Sequence, residues 1–283
     1  MTRSRCRSAA SAPSRTPSCE TGPVIVEVIS VGTELLLGQI VNSNAATIAQ
    51  RLAAAGLDAH YQTTVGDNLK RLTGAIADAA ARADAVVLTG GMGPTPDDLT
   101  RDALCAFAGV GIARDAAQEQ RIRDRVHQAR GSVTESALRM ADHPEGSDPL
   151  PNPVGVALGA AMEHEGVHLF ALPGVPSEMV AMLDAEVMPR LRALVGEPAV
   201  LRSRLLQTVG LGESQVAELF GDLNDSTNPS LAYMLTDNQT RVRISAKAAT
   251  DAAADALIDE METAVVARLG PHAVPGPADA PGP

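Results

Sequence analysis

The chain has 283 residues, 45% of them hydrophobic and 20% charged; at about 150 residues per domain this suggests two domains with ample aliphatic chain for a core. Its 23 basic residues against 34 acidic ones leave a net charge of −11, which repels a phosphate backbone and disfavours nucleic acid as a partner. Five aromatic rings (Tyr61, Phe107, Phe170, Phe220, Tyr233) and no Trp leave little to stack on unpaired bases. The longest apolar run, Val154 to Met162, is far short of the roughly 20 residues that span a bilayer, so no membrane partner is expected.

Residues 1–22 carry four Arg and many Ser without the apolar stretch of a secretory signal, and are expected to be a disordered tail. Cys6 and Cys19 fall there and Cys105 in an apolar helical pattern. With neither a disulfide framework nor a metal spacing, a reducing cytoplasm is the expected compartment.

Over residues 23–196 short β-rich runs alternate with amphipathic helical patterns, so the expected fold class is α/β with a parallel sheet and crossover helices. Val24 to Val31 predicts a first strand. Ala45 to Ala55 predicts a helix with Ile48, Leu52 and Ala55 inward, stopped by Gly56, and Asp58 to Val65 a second strand. Asp67 is expected to cap a helix with Leu69, Leu72 and Ile76 inward. Ala85 to Thr89 is a continuous apolar run, a buried third strand closed by Gly90 and Gly91. Helical patterns follow near 97–108, 116–130 and 134–142. Gly155–Met162 and Val167–Leu172, joined by a turn at Glu163–Gly166, predict a hairpin at the sheet edge. Pro176 to Val195 predicts a long helix with Met179, Leu183, Val187, Leu191 and Leu194 inward. Residues 197–270 then hold a smaller β-α-β-β-α order: Val200–Val209, Glu213–Leu223, Leu231–Leu235, Arg241–Ala246 and Ala252–Leu269. Residues 271–283, dense in Pro, Gly and Ala, are expected to be a disordered tail or linker.

The most informative segment runs from a strand end to a helix start: Thr89-Gly90-Gly91-Met92-Gly93-Pro94-Thr95-Pro96-Asp97-Asp98-Leu99-Thr100. Its glycines leave backbone N–H groups bare, and a helix N-terminus offers about half a positive charge to an anion. The segment therefore outlines a cradle for a phosphate or pterin phosphate. It has no Lys and no third glycine at the dinucleotide spacing, so the nucleotide P-loop and the dinucleotide fingerprint drop out. Thr95 is expected as N-cap, Pro96 as the first helical residue and Asp98 as the third. Capping explains one acid only. Two adjacent carboxylates beside an anion cradle repel the anion unless a divalent cation lies between, which makes Asp97 and Asp98 candidate metal ligands.

Gly32-Thr33-Glu34-Leu35-Leu36-Leu37-Gly38, then Asn42, Ser43 and Asn44, follow the first strand. In an open parallel sheet the loops after strands one and three meet at the carboxyl edge, which brings Glu34 beside the 89–100 loop and Asp67 to the same edge. One of Asn42 and Asn44 reads as a helix cap. Pro151-Asn152-Pro153-Val154-Gly155 and Leu172-Pro173-Gly174-Val175-Pro176-Ser177-Glu178-Met179 read as rigid turns; the second also leads from a strand end into a helix start beside an acid. His164-Glu165-Gly166-Val167-His168 spells the zinc-protease motif, but that motif works only on a helix and here the glycine sits in a hairpin turn. Gly210-Leu211-Gly212-Glu213-Ser214 reads as a turn and helix cap.

The segments at 32–44, 89–100, 172–179 and 210–214, in this order, resemble the competence/damage-inducible CinA family from about Val24 to Gly270. The resemblance implies a three-layer molybdopterin-binding-type α/β domain over 23–196 and a KH-like α+β domain over 197–270. It implies a pyrophosphatase acting on ADP-ribose with a divalent metal ion of Mg²⁺ or Co²⁺ type, and a homodimer. Asp97, Asp98 and Glu34 are the catalytic candidates. The ligand-binding candidates are Thr89, Gly90, Gly91, Gly93, Pro94, Thr95, Thr100, Asn44, Asp67, Gly155, Pro173, Gly174, Pro176 and Glu178. The same cradle also suits a molybdopterin-binding or adenylating protein of cofactor biosynthesis, or a non-catalytic nucleotide-binding module. Full-length members carry a further C-terminal domain that deamidates nicotinamide mononucleotide; this chain stops before it, so that activity is not carried over. The family commonly has Asp where Thr33 stands and Leu where Met92 stands, and the first change removes one carboxylate from the expected site. The KH-like label does not bring RNA with it, because no Gly-x-x-Gly loop lies between helices in 199–270 and the chain is acidic.

Overall fold

Successive strand side chains point to opposite faces. In the computed structural model, which describes residues 24–129, 131–195, 200–236 and 239–274, this alternation splits the apolar residues of the first sheet between two helix layers. The elements in chain order are β1 (Ile25–Val31), α1 (Thr33–Leu36), α2 (Ser43–Ala54), β2 (Asp58–Val65), α3 (Leu69–Ala80), β3 (Ala85–Thr89) and α4 (Thr100–Ala108). Then follow β4 (Ile112–Arg114), α5 (Ala116–Gln128), α6 (Glu135–Leu138), β5 (Asp142–Pro144), β6 (Asp148–Leu150), β7 (Gly159–His164), β8 (Val167–Leu172), α7 (Pro176–Met182) and, after a π-turn over Leu183–Val187, α8 (Met188–Leu194). The sheet runs β2-β1-β3-β8-β7-β6, with β2, β1, β3 and β8 parallel and the last two antiparallel.

Val26, Val28, Val87, Phe170 and Leu172 pack with Ile48 and Leu52 of α2 and with Met179, Leu183 and Leu191 of the α7–α8 arm. Ile29, Val31, Val86, Leu88 and Leu169 pack on the other face with Leu72 and Ile76 of α3 and Leu104 of α4. The result is the expected three-layer α/β architecture. One buried charge lies on the sheet. Glu27 of β1 is fully buried, and its carboxylate accepts from Arg82 Nε and Nη2 and from Thr63 Oγ1, each at 2.8 Å, a bidentate pairing that satisfies a buried anion.

Several sequence expectations are corrected. The hairpin is not at the edge: β8 pairs in parallel with β3, and β6, beyond β7, forms the border. Its first strand begins at Gly159 rather than Gly155, while Glu165 and Gly166, both at positive φ, make the tight turn. The zinc-protease spelling is thus strand, turn, strand. Asn68, not Asp67, caps α3, and Leu69 is exposed. Asn42 is the cap of α2, accepting from Ala45 N. Strands β4 to β6 have three residues each, too few to show an alternation.

The second unit comprises β9 (Val200–Thr208), α9 (Glu213–Phe220), β10 (Ser230–Thr236), β11 (Gln239–Ala248), α10 (Asp251–Leu269) and β12 (Ala273–Val274). Its antiparallel sheet runs β10-β11-β9-β12, and Leu206, Val242 and Ile244 pack against Phe220, Ile258 and Val265 of the two helices. Ala273 and Val274 pair with Thr208 and Gln207, so the expected disordered tail begins too early: two residues are too short a strand to announce themselves. The expected tail at 1–22, and residues 275–283, lie outside the described residues. No helix among those described is long and apolar enough to cross a membrane.

Gly90 joins the end of β3 to the loop with φ 102°, and a Cβ there would lie 2.2 Å from the Val31 carbonyl oxygen of the adjacent strand. Gly90→Ala is therefore expected to lower unfolding free energy by at least about 1–3 kcal/mol, the cost of the backbone conformation before the clash is counted. Denaturant unfolding of the variant measures it; an unchanged midpoint contradicts the close approach.

Candidate functional site

The register sets Ser30 beside Thr89 and Thr89 beside Leu172, so β1, β3 and β8 end at one level. The chain goes from β1 outward to β2 and returns past β1 to β3, which puts a topological switch point between β1 and β3, where ligands of open α/β sheets bind. A cleft of about 430 Å³ opens there. Of the residues expected at the site, Glu34, Asp67, Gly90, Gly91, Gly93, Pro94, Thr95, Asp97, Asp98, Pro173, Gly174 and Glu178 line it. Thr89, Thr100, Asn44, Gly155 and Pro176 do not. Met140, Val156 and Ala157, from the segment between α6 and β7, complete the wall with Val31 and Val175.

Three of the residues outside the lining are struts. Asn44 Nδ2 donates to Thr89 Oγ1 (3.0 Å) and to the Gly174 carbonyl (2.9 Å), and Thr89 Oγ1 donates to the Pro173 carbonyl (3.1 Å). These bonds tie the loops after β1, β3 and β8 together. Thr100, fully buried, donates its hydroxyl to the Gly90 carbonyl (2.7 Å) and its N–H to the Gly91 carbonyl (3.1 Å). Pro176 opens α7, and Gly155 lies under Glu178.

The 89–100 loop departs from the capping-box expectation. Helix α4 starts at Thr100, not Pro96, because Asp98 turns back into the loop. Its Oδ1 accepts from Gly93 N (2.8 Å), and its Oδ2 from Thr95 N (2.8 Å) and the Thr95 hydroxyl. Nor are all the glycine amides bare: Gly90 N donates to the Leu172 carbonyl (3.0 Å) and Gly93 N is held by Asp98. Asp98 thus uses most of its acceptor capacity inside the loop. Asp97 is exposed, and hydrogen bonding within the loop, its own backbone N–H included, holds its pKa below the ordinary carboxylate value.

Three acids share one device. A Cβ on Gly32 would lie 2.4 Å from Glu34 Oε1, one on Gly93 2.6 Å from Asp98 Oδ2, and one on Gly155 2.3 Å from Glu178 Oε2. Each carboxylate occupies the space a Cβ would take, so any larger residue at the glycine has to displace it. Glu178 is oriented further by Asn152, which is fully buried: its Nδ2 donates to Glu178 Oε2 (2.6 Å) and the Ala157 carbonyl (3.0 Å), while its Oδ1 accepts from Gly155 N (2.7 Å) and Val154 N (3.1 Å). Arg121 of α5 holds that loop from behind through the Asn152 and Gly155 carbonyls (3.0 and 3.2 Å). Thr33 and Asp67 exchange two bonds, Thr33 N to Asp67 Oδ2 (2.8 Å) and Asp67 N to Thr33 Oγ1 (3.1 Å), a latch between the loops after β1 and β2.

Sequence reasoning passed over Asn152, Arg121 and Arg101. The signal that could have found Asn152 is the proline on each side, which leaves the loop short of backbone donors. Arg101 stands three and four residues before Leu104 and Cys105, a charge on the inward face of α4. It is buried, and its Nη2 donates to the carbonyls of Met92 and Gly93. Burial, and then the nearby Arg139, push its pKa down, against the opposing pull of Asp98, Asp142 and Asp102.

The cleft is thus lined by five carboxylates, Glu34, Asp67, Asp97, Asp98 and Glu178, and among the described residues by no Lys, Arg or His. No three His, Cys, Asp or Glu side chains among those described converge as a metal centre. The arrangement suits a hard cation that keeps waters and takes one or two carboxylates plus phosphate oxygens, as Mg²⁺ does.

Two family models match the chain: "Probable molybdopterin binding domain" over residues 27–193 and "Damage-inducible protein CinA KH domain" over residues 203–274. A CinA-like protein of Frankia casuarinae is 44% identical over 253 residues, 86% of this chain and 58% of the relative. A competence-damage inducible protein of Moorella thermoacetica is 40% identical over 246 residues, 87% of this chain and 59% of the relative. The crystal structure of CinA from Thermoplasma acidophilum, titled as a protein of unknown function, aligns with a TM-score of 0.55 at 35% identity, covering 60% of this chain and 98% of that one. Fold and matches together define a molybdopterin-binding-type α/β domain followed by a KH-like domain. The chain belongs to the CinA family, and it spans about three fifths of the length of the curated relatives it matches.

Asp98→Asn replaces one acceptor oxygen by a donor facing donors. Amide exchange at Gly93 and Thr95 is expected to rise at least about tenfold, in keeping with the loss of one charge-assisted hydrogen bond, with core amides unchanged. Unaltered exchange at both positions refutes the inward role of Asp98.

Proposed function

We propose that the cleft binds a nucleoside diphosphate of the ADP-ribose type and that the protein hydrolyses its diphosphate bond in the cytoplasm, with a divalent cation of Mg²⁺ or Co²⁺ type. The observation that carries this reading is the coincidence of a glycine loop at the switch point with five carboxylates and no basic side chain among the described lining residues. A diphosphate is repelled from such a cleft unless it arrives with cations, which the acids then share with it.

In this reading the Gly91 and Met92 amides bind phosphate oxygens, and Asp97, with Glu34 or Asp67 on the facing loop, holds the cation. That cation, when bound, lowers the pKa of its water and offsets charge on the diphosphate. Glu178, fixed by Asn152, accepts a proton from the attacking water. Water adds at one phosphorus as the bridging oxygen departs with the other phosphate, giving AMP and ribose 5-phosphate. Asp98 positions the loop rather than the substrate.

Hydrolysis of ADP-ribose with Mg²⁺ or Co²⁺, followed as AMP formation, tests the reading. Asp97→Asn is expected to lower kcat at least about tenfold and to raise the cation concentration needed for half-maximal rate. Full rate in that variant removes Asp97 from the cation site. Because the Asp97 pKa is depressed, its carboxylate stays charged as pH falls below the ordinary carboxylate range.

The family model over residues 27–193 favours a second reading, a pterin phosphate in the same cradle against Met140, Val156 and Val175. Protein that binds the pterin and leaves ADP-ribose intact supports that reading over the first.

A further inference from the structure

We infer that Arg101 is a positioning residue for the anion in the cleft: it turns the carbonyls of the 90–93 loop away from the ligand and sets a buried positive charge behind the loop's amides. This rests on the proposed diphosphate site.

The argument starts from the peptide unit. In a trans peptide the N–H points opposite the preceding C=O. The Gly90 and Gly91 carbonyls accept from Thr100, and those of Met92 and Gly93 from Arg101. Four consecutive carbonyls are thus drawn toward the start of α4 by two adjacent residues. The amides of Gly91 and Met92 face the other way, and neither has an acceptor within the described protein. Asp98 still holds the Met92–Gly93 peptide through Gly93 N, but the Gly93–Pro94 peptide has no N–H, so without Arg101 the Gly93 carbonyl has no anchor among the described residues and is free to rotate toward a bound anion and repel it.

The second strand of the argument is charge. Arg101 is only 1% exposed, and its Nε and Nη1 are buried without a partner. The acids around it are engaged elsewhere: Asp102 with Arg139 (2.7 Å), Asp142 with Arg114 (2.6 Å) and Asp98 with the loop amides. A buried guanidinium with no ion pair among the described residues costs stability, and an apolar side chain of similar size would pack there more cheaply. Its charge acts on what lies beyond the loop. In a cleft walled by five carboxylates it counterbalances part of their repulsion of a diphosphate.

The test measures inorganic pyrophosphate binding by calorimetry with Mg²⁺ present, and ADP-ribose kinetics, on the full chain. Arg101→Met keeps the length and removes the charge; Arg101→Lys keeps the charge and loses the fork. Arg101→Met is expected to raise the pyrophosphate Kd at least about 30-fold, and Arg101→Lys to lie between it and the parent. KM is expected to rise more than kcat falls, a split that mere loss of stability does not produce. A folded Arg101→Met protein with Kd within about twofold of the parent overturns the inference. Where Arg101→Met does not fold, Arg101→Lys decides on the same criterion. If the parent binds neither pyrophosphate nor ADP-ribose, the diphosphate reading falls and this inference with it; if the parent binds and the variants bind equally, only the role of Arg101 falls.

Discussion

The cleft depends on where four carbonyl oxygens point. A glycine-rich loop is not by itself an anion receptor, because each peptide unit carries an acceptor as strong as its donor. The 90–93 loop becomes one-sided because Thr100 and Arg101, at the first turn of α4, take the carbonyls of Gly90, Gly91, Met92 and Gly93. Helix α4 therefore serves less through its dipole than through two side chains that orient the strand-to-helix connection preceding it. The opposite loop repeats the device, with Arg121 taking the carbonyls of Asn152 and Gly155.

Orientation of the backbone brings the acids with it. Glu34, Asp98 and Glu178 each stand where the Cβ of a glycine would be, so Gly32 and Gly93, which line the cleft, also seat two of its carboxylates, and Gly155, outside the lining, seats the third. Thr33, paired with Asp67 across two loops, keeps the β1 and β2 edges together through a latch that is neutral on one side.

Much of this was legible in the residues. Continuous apolar β3, the alternation in β1 and the 3.6-residue periodicity of α2, α3 and the α7–α8 arm each answer to a single strong physical signal, burial on one face or both. The meeting of the loops after β1 and β3 follows from the rules for parallel sheets. What could not be read depends on reciprocity between distant groups. Asp98 has the spacing of a capping acid, yet its acceptors bend back to Gly93 and Thr95, because Pro94 and Pro96 lack the N–H groups that would otherwise compete for them. Thr89, Thr100 and Asn44 carry the polar groups expected of ligand contacts, and spend them on carbonyls of neighbouring loops. The β7–β8 hairpin was placed at the border since a hairpin needs only one neighbour; β6, with three residues, left no trace that another strand lay outside it.

Proline also sets the capacity of the receptor. Gly90 N is bound to the Leu172 carbonyl and Gly93 N to Asp98, and Pro94 has no donor to offer, so the run of outward amides ends after Met92. Two amides suit the oxygens of one phosphate group. For a diphosphate, as proposed, the second phosphate must be held by something other than backbone, and the acids ranged around the loop exclude it in the absence of cations. Shortage of amides and surplus of carboxylates thus belong together. A cleft with more free N–H groups would bind an anion unaided; under the proposed reading, anion and cation enter this one as a pair.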